Sequence, residues 1–399
     1  MQPNSAAASR ALVIQLARLG DLIQTLPVLD AVRHHRPGTA VDLLCAAPLA
    51  DFVRAAFPVD RVLPWDGRQC RDWADTWCRD PSGTVQRLQR YIESLSPQGY
   101  DEAYNLNQHE RAILAAHLLG RCVTGAGATG PLSTELGVWG DYLRQVACRR
   151  GNNRIHLADA FCGLCGVRPR GGTPSLRRGA ETLPRDLQSI GRDEGDWAAI
   201  VIGAGDADRC VPPQAWTAWV ETFLSIHERG KVVLVGAGGE REAAHAVQSS
   251  LASMHLARVW DATGRTSLPQ LAEILSRCAW TIGADTGPLH IGTAVASCVI
   301  GFYFARARVH ETGPYGTGHW VFQHQGGFPP SQWPIRASIE LMLHGTASAD
   351  AEWELWMSDL DEWGAFYVKA SGDSDRDRFQ RRKVWETLSP SLAGCNEHI

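Results

Sequence analysis

Ala279-Trp280-Thr281-Ile282-Gly283-Ala284-Asp285-Thr286-Gly287-Pro288-Leu289-His290 decides how the chain is built. An apolar run ends in a small polar turn, and a small-residue segment, Ile291 to Ala296, follows. That is the pattern of a buried strand, a tight turn and the start of a helix. At such a turn the N–H groups near Thr286 and Gly287 have no helical acceptor and the helix dipole is positive. The turn can therefore hold an anion such as a diphosphate. Asp285 and His290 flank it with groups that can read sugar hydroxyls. The same residues also suit an ordinary helix N-cap with proline in the first turn.

A second strand and turn lie near the N-terminus. Ala11-Leu12-Val13-Ile14-Gln15-Leu16 has the composition of a buried parallel strand. Gly20 permits a tight turn, and Asp21 opens a helix expected to run to His35. A carboxylate just past a first strand lies where open α/β sheets bind ligands; an aspartate there is also a common helix cap. Arg18, three residues earlier, could bind an anionic acceptor or favour the charged form of Asp21.

The length, 399 residues, suits two domains, and 44% hydrophobic residues suffice for sizeable cores. A net charge of −4 gives no basic bias, so nucleic acid is not an expected partner. No apolar run approaches the ~20 residues of a membrane span. The first run is cut by Arg18 and is a strand, not a signal peptide, so a cytoplasmic protein is expected. Eleven cysteines are scattered, as small buried hydrophobes in a reducing compartment would be. Cys162-Gly163-Leu164-Cys165 lacks the second pair of a zinc site, and His156 is poorly spaced to help, so packing is the expected role. No acidic cluster has metal-like spacing; neither metal nor cofactor is expected.

Strand-like and helix-like segments alternate twice, which argues for parallel sheets covered on both faces. The expected strands are 11–16, 40–45, 61–64, 101–106 and 122–125, then 198–202, 231–235, 279–283 and 298–302. The expected division is residues 1–175, a Gly/Pro/Arg-rich linker 176–195, residues 196–345, and a helical extension 346–399 with helices over 351–371 and 375–388. Trp353, Trp356 and Trp363 would serve as packing residues there.

The Leu19-Gly20-Asp21-Leu22-Ile23-Gln24-Thr25-Leu26-Pro27 segment and the downstream Asp285-Thr286-Gly287-Pro288-Leu289-His290 turn together resemble glycosyltransferase family 9, the heptosyltransferases. Asp101-Glu102-Ala103-Tyr104-Asn105-Leu106, Gly264-Arg265-Thr266-Ser267-Leu268 and Gly313-Pro314-Tyr315-Gly316 agree in order and separation. The resemblance covers most of residues 10 to 320. It implies a GT-B fold: two Rossmann-like, doubly wound parallel-sheet domains facing a cleft, with a C-terminal helix returning to the first domain. It implies inverting transfer of a heptose-like sugar from a nucleotide diphosphate, ADP-heptose above all, to a lipopolysaccharide core or related lipid-linked glycan. A peripheral contact with the cytoplasmic face of the inner membrane would follow.

Under that resemblance Asp21 is the general base. Thr286, Gly287, Pro288 and Arg209 hold the diphosphate, and Asp285 and His290 orient the donor sugar. Val211 stands where the family has Trp, and Asp206 and Asp208 add negative charge nearby. In Val235-Gly236-Ala237-Gly238-Gly239-Glu240-Arg241-Glu242 either Glu240 or Glu242 would accept the ribose hydroxyls. Gly20 and Arg18 belong to the acceptor loop. Arg306, Arg308 and His310, after the strand 298–302, would tune diphosphate or acceptor recognition. Acceptor identity would lie in loops such as 107–111 and 125–135. Other readings are a family member with another donor or a protein acceptor, and a non-catalytic nucleotide-sugar-binding scaffold. A dehydrogenase lacks its Gly-x-Gly-x-x-Gly spacing.

Overall fold

The structure, a computed structural model, describes residues 9–393 except 131–132, 178, 180–181, 193–194, 327–329, 349–351, 371 and 373–374. It divides into two compact units: residues 1–149, 157–170 and 383–399 in the first, and 150–156 and 171–382 in the second. The segment expected as a linker therefore counts with the second unit, and the C-terminal extension is split between the two.

The first unit is built on β1 (Arg10–Gln15), β2 (Ala40–Ala46), β3 (Val62–Trp65), β4 (Tyr100–Asn105) and β5 (Gly120–Gly125). They form one parallel sheet in the order β3-β2-β1-β4-β5. β1 and β2 are almost wholly buried, which is why they are near-continuous apolar runs. A small antiparallel ribbon of β6 (Gly127–Gly130) and β7 (Ser133–Glu135) follows. The helix expected over 21–35 is broken into Leu19–Ile23 and Leu26–His35. Pro27 in the first turn of the second piece has no N–H to continue a ladder. Thr25 donates its hydroxyl to the Asp21 carbonyl at 2.9 Å across the break.

The second unit has β8 (Asp196–Val201), β9 (Gly230–Val235), β10 (Val259–Asp261), β11 (Trp280–Ala284), β12 (Cys298–Tyr303) and β13 (Trp320–His324), followed by β14 (Trp353–Asp361) and β15 (Gly364–Lys369). Their order is β10-β9-β8-β11-β12-β13-β14-β15. The first six are parallel and follow the dinucleotide-fold order. Trp216, Trp219 and Phe223 of helix Pro213–Ile226 bury against this sheet.

Residues 353–369 correct the helical expectation for 351–371. They form a β-hairpin that adds β14 antiparallel to β13. Trp353, Leu355 and Ser358 are buried while Glu354 and Trp356 are only partly so, and aromatic residues in such an alternation favour strand over helix. Trp353 and Trp356, three apart, mimic helical spacing. The turn closes at Gly364, whose φ is +101°. Buried Arg381, on the helix Asp375–Leu388, donates to the Gly364 and Ala365 carbonyls at 2.7 and 3.0 Å and pairs with Asp361. Trp353 packs on Trp333 and Phe302. In the first unit Trp385 packs on Trp139, whose indole N–H donates to Ser389 at 2.7 Å.

Candidate functional site

In an open parallel sheet, loops leaving neighbouring strands to opposite faces open a crevice at the strands' carboxyl ends. In the second unit that switch lies between β8 and β11. β8 leads into Gly203–Arg209, and β11 leads into the Asp285-Thr286-Gly287 turn and helix Gly287–Ala294. Arg209 bridges the two loops. Its Nη1 donates at 3.1 Å to both the carbonyl and Oδ2 of Asp285, and its Nη2 donates to Asp206 Oδ2 at 2.8 Å. The other carboxylate oxygen of Asp285, itself 7% exposed, lies 3.5 Å from His290 Nε2. Thr286 is the N-cap and makes no side-chain cap bond; Pro288 removes one first-turn donor. Positive and negative groups thus alternate around a helix N-terminus, with Arg209 held between two aspartates. Val211 is buried in the hydrophobic core.

The loop after β9 separates the two glutamate candidates. Glu240 is half-buried, pairs with the Ala237 N–H and fills the space over Gly203 and Gly236; a β-carbon on Gly203 would collide with its carboxylate. Glu242 is exposed on helix Arg241–Ser250. Glu240 is the carboxylate beside the β8 loop.

The loop after β12 holds its three basic residues in different ways. Arg306 extends to Asp208 at 3.7 Å and is largely exposed. Arg308 donates Nη1 to the Ala305 and Ala307 carbonyls at 2.9 and 2.7 Å, while Ala305 adopts φ +51°, unusual for a residue with a side chain. His310 is half-buried, and desolvation, with Arg154 nearby, pushes its imidazole down to about 3. Buried Gln323 on β13 fixes the loop. It accepts from the Val309 N–H at 3.0 Å and donates to the Tyr303 and Ala307 carbonyls at 3.1 and 3.2 Å.

Further along, three successive carbonyls are held by buried side chains. Thr312 accepts from the Tyr303 hydroxyl at 2.6 Å, Gly313 pairs with His156 Nε2 at 2.9 Å, and Pro314 accepts from the Tyr367 hydroxyl at 3.2 Å. Burial pushes His156 down to about 3, with a further lowering from nearby His290. His156, Tyr303, Gln323 and Tyr367 are the residues sequence reasoning missed. Tyr303 alone carried a signal, closing a strand that enters the site.

In the first unit the corresponding switch lies between β1 and β4. Asp21 is the third residue of helix Leu19–Ile23, and its Oδ2 accepts the Arg18 N–H at 3.2 Å; Gly20 precedes it. Asn107 after β4 ties the β1 end down. It accepts from the Leu16 N–H at 2.7 Å and donates to Gln15 Oε1 at 2.6 Å. Gln15 is buried, and its Nε2 has no hydrogen-bond partner. Sequence reasoning passed over Gln15 as a strand residue. Cys162 on helix Leu157–Leu164 and Cys165 in the turn after it are both buried, and burial pushes both thiols well up. Among the described residues no group of three or more His, Cys, Asp or Glu could hold a metal ion, and no helix is long and apolar enough to cross a membrane.

Residues 194–327 match the sequence model of Glycosyltransferase family 9 (heptosyltransferase). Lipopolysaccharide heptosyltransferase 1 of Escherichia coli strain K12 is 21% identical over 354 residues, 86% of this chain and 98% of the relative. Among solved structures, E. coli ADP-heptose lipopolysaccharide heptosyltransferase II superposes with a TM-score of 0.62 at 15% identity, covering 84% of this chain and 97% of that one. An E. coli heptosyltransferase solved with ADP gives 0.61 at 18% identity, over 84% and 100%. A family 9 glycosyltransferase of Veillonella parvula gives 0.59 at 19%, over 77% and 83%. This likeness shows the fold: GT-B, with two Rossmann-like α/β domains.

Proposed function

We propose that this chain, whose residues 194–327 match the Glycosyltransferase family 9 model, transfers a heptose-like sugar with inversion from ADP-heptose to a lipid-linked glycan of the lipopolysaccharide core. The observation that carries this reading is the Arg209–Asp285 bridge across the carboxyl ends of β8 and β11, beside the N-terminus of helix Gly287–Ala294. Such a crevice suits a dinucleotide-like diphosphate. Related E. coli heptosyltransferases have been solved with ADP and with ADP-2-deoxy-2-fluoro heptose.

Transfer breaks the bond between the anomeric carbon and the diphosphate while the acceptor oxygen attacks the opposite face. The transition state has oxocarbenium character, so negative charge grows on the departing diphosphate and the acceptor hydroxyl must lose a proton. Arg209 and the Thr286–Gly287 backbone meet the first need. Asp285 and His290 hold the donor sugar's hydroxyls, and Glu240 accepts the ribose diol. Asp21, on the acceptor-binding domain of the proposed division of labour, takes the proton. Diphosphate charge is met without a metal ion, and the acceptor is reached by peripheral contact at the cytoplasmic face of the inner membrane.

A thermal-shift panel of ADP, GDP, UDP and CDP tests the donor assignment, since a ligand bound to the native state raises its stability by mass action. ADP alone is expected to shift the transition. Asp21→Asn is expected to keep that shift and lose transfer. A shift with a different nucleotide moves the donor; no shift with any of them removes the nucleotide site.

A further inference from the structure

Two strands away from the donor turn, the second unit contains a separate cavity of about 220 Å³ at the carboxyl end of β13 and the start of β14. Arg150, Arg154, Arg308, His310, Gln323 and Trp356 are among the residues lining it. Two of the arginines have carboxylate neighbours: Arg150 lies 3.4 Å from Glu311, and Arg154 lies 3.2 Å from Asp377. Glu354, also in the wall, is paired to Lys369. Arg308 has no carboxylate partner among the described residues, and its two carbonyl contacts hold the guanidinium in place. His310 is neutral at ordinary pH, so the cavity's positive charge is that of the arginines. Trp356 Nε1 is shielded from solvent and has no hydrogen-bond partner, a donor that lacks its acceptor. The Gln323 amide is already spent on the loop after β12.

We propose that this cavity binds a compact oxyanion, a phosphate or carboxylate group, between Arg308, Arg154 and the Trp356 indole N–H. An acceptor-only group of that size meets the Arg308 guanidinium, which lacks a carboxylate, and the orphan N–H together; a cation cannot, and a neutral sugar leaves the charge unmatched. The cavity is smaller than those that enclose nucleotide-sized ligands, which start at roughly 300 Å³. One loop lies between the site and the donor crevice: Arg306 reaches Asp208 of the β8 loop on one side while Arg308 lines the cavity on the other. The oxyanion is either a substituent of the acceptor glycan, an assignment that rests on the transferase reading, or free phosphate.

Inorganic phosphate titrated into the full chain by calorimetry tests the site. The titration is run on protein saturated with ADP and, independently, on Arg209→Gln, in which the donor crevice has lost its cation. One phosphate is expected to bind in both. Arg154→Gln, and Trp356→Phe, which keeps the ring but removes the N–H, are each expected to weaken it about tenfold or more. Absence of saturable binding, or an affinity unchanged in both variants, overturns the proposal. The Arg209→Gln arm stands even if no nucleotide binds. Millimolar phosphate that competes with the acceptor identifies a group of the acceptor; phosphate that binds and leaves the acceptor KM unchanged identifies free phosphate.

Discussion

Replacing Asp285 by Asn removes one negative charge from the donor turn while keeping its shape. The Asp285 side chain is 10% exposed and that of Arg209 is 18%, so solvent screens their contact little. The substitution leaves the Arg209 bond to the 285 carbonyl and its pairing with Asp206 at 2.8 Å. The amide oxygen can still accept from Arg209, but the ionic part of the pairing is lost, worth about 1.5–3 kcal/mol. At about 2–4 °C per kcal/mol for a unit of this size, the melting transition should fall by roughly 3–12 °C. If the same carboxylate also holds a sugar hydroxyl in the transition state, kcat/KM for the nucleotide-sugar should fall roughly 10- to 150-fold. ADP, which lacks the sugar, should lose less affinity than the donor does. Circular dichroism melts and initial-rate assays on wild type and Asp285→Asn measure the two effects separately. A transition unchanged within a degree would refute the claim that the Arg209–Asp285 pair holds the turn. A lowered transition with unchanged kcat/KM would confine Asp285 to positioning Arg209.

Acid should unfold the second unit early. Burial holds His156 and His310 down to about 3 and His319 to about 4, against about 6.5 in the unfolded chain. Below pH 6.5 unfolding therefore takes up protons, so stability is full above that pH and is lost as pH falls toward 4, by up to about 4 kcal/mol per pH unit. His319→Gln should flatten the pH dependence of the melting temperature by about one third; an unaltered slope would show that His319 is already charged in the fold. Gly203→Ala should displace the Glu240 carboxylate and weaken nucleotide binding about tenfold with little change in stability, as read by equilibrium dialysis; unaltered affinity would separate Glu240 from the nucleotide. Transfer should persist in EDTA, and a loss restored by a divalent ion would contradict a diphosphate held by Arg209 and backbone alone.

What could be read from the sequence was the local chemistry of single strand–turn–helix units. β11 and its turn are apolar, glycine-bearing and proline-capped within ten residues, so their structure is encoded where they stand. β1 with Gly20 and Asp21 is the same. Pro27 was in view too, yet the helix break before it was missed, because proline is equally at home in the first turn of a new helix. The hairpin β14–β15 misled for the opposite reason. Its tryptophans satisfy both periodicities, and the decision lies in a partner strand, β13, that begins more than thirty residues earlier.

The support of the site was illegible for a related physical cause. Gln323, His156, Tyr303 and Tyr367 come from four distant segments, and each acts by giving a buried hydrogen bond to a backbone carbonyl. A carbonyl has no residue identity, so no motif marks its partner. Desolvation makes each bond matter, because a loop carbonyl buried without a donor costs about 1–3 kcal/mol. The four donors between them hold Tyr303, Ala307, Thr312, Gly313 and Pro314, which brackets the loop that carries Arg306 and Arg308. The arginines were visible in the sequence as charges. Their division, Arg306 toward the β8 loop and Arg308 toward the cavity, is set by the buried amide and hydroxyls that fix the backbone around them.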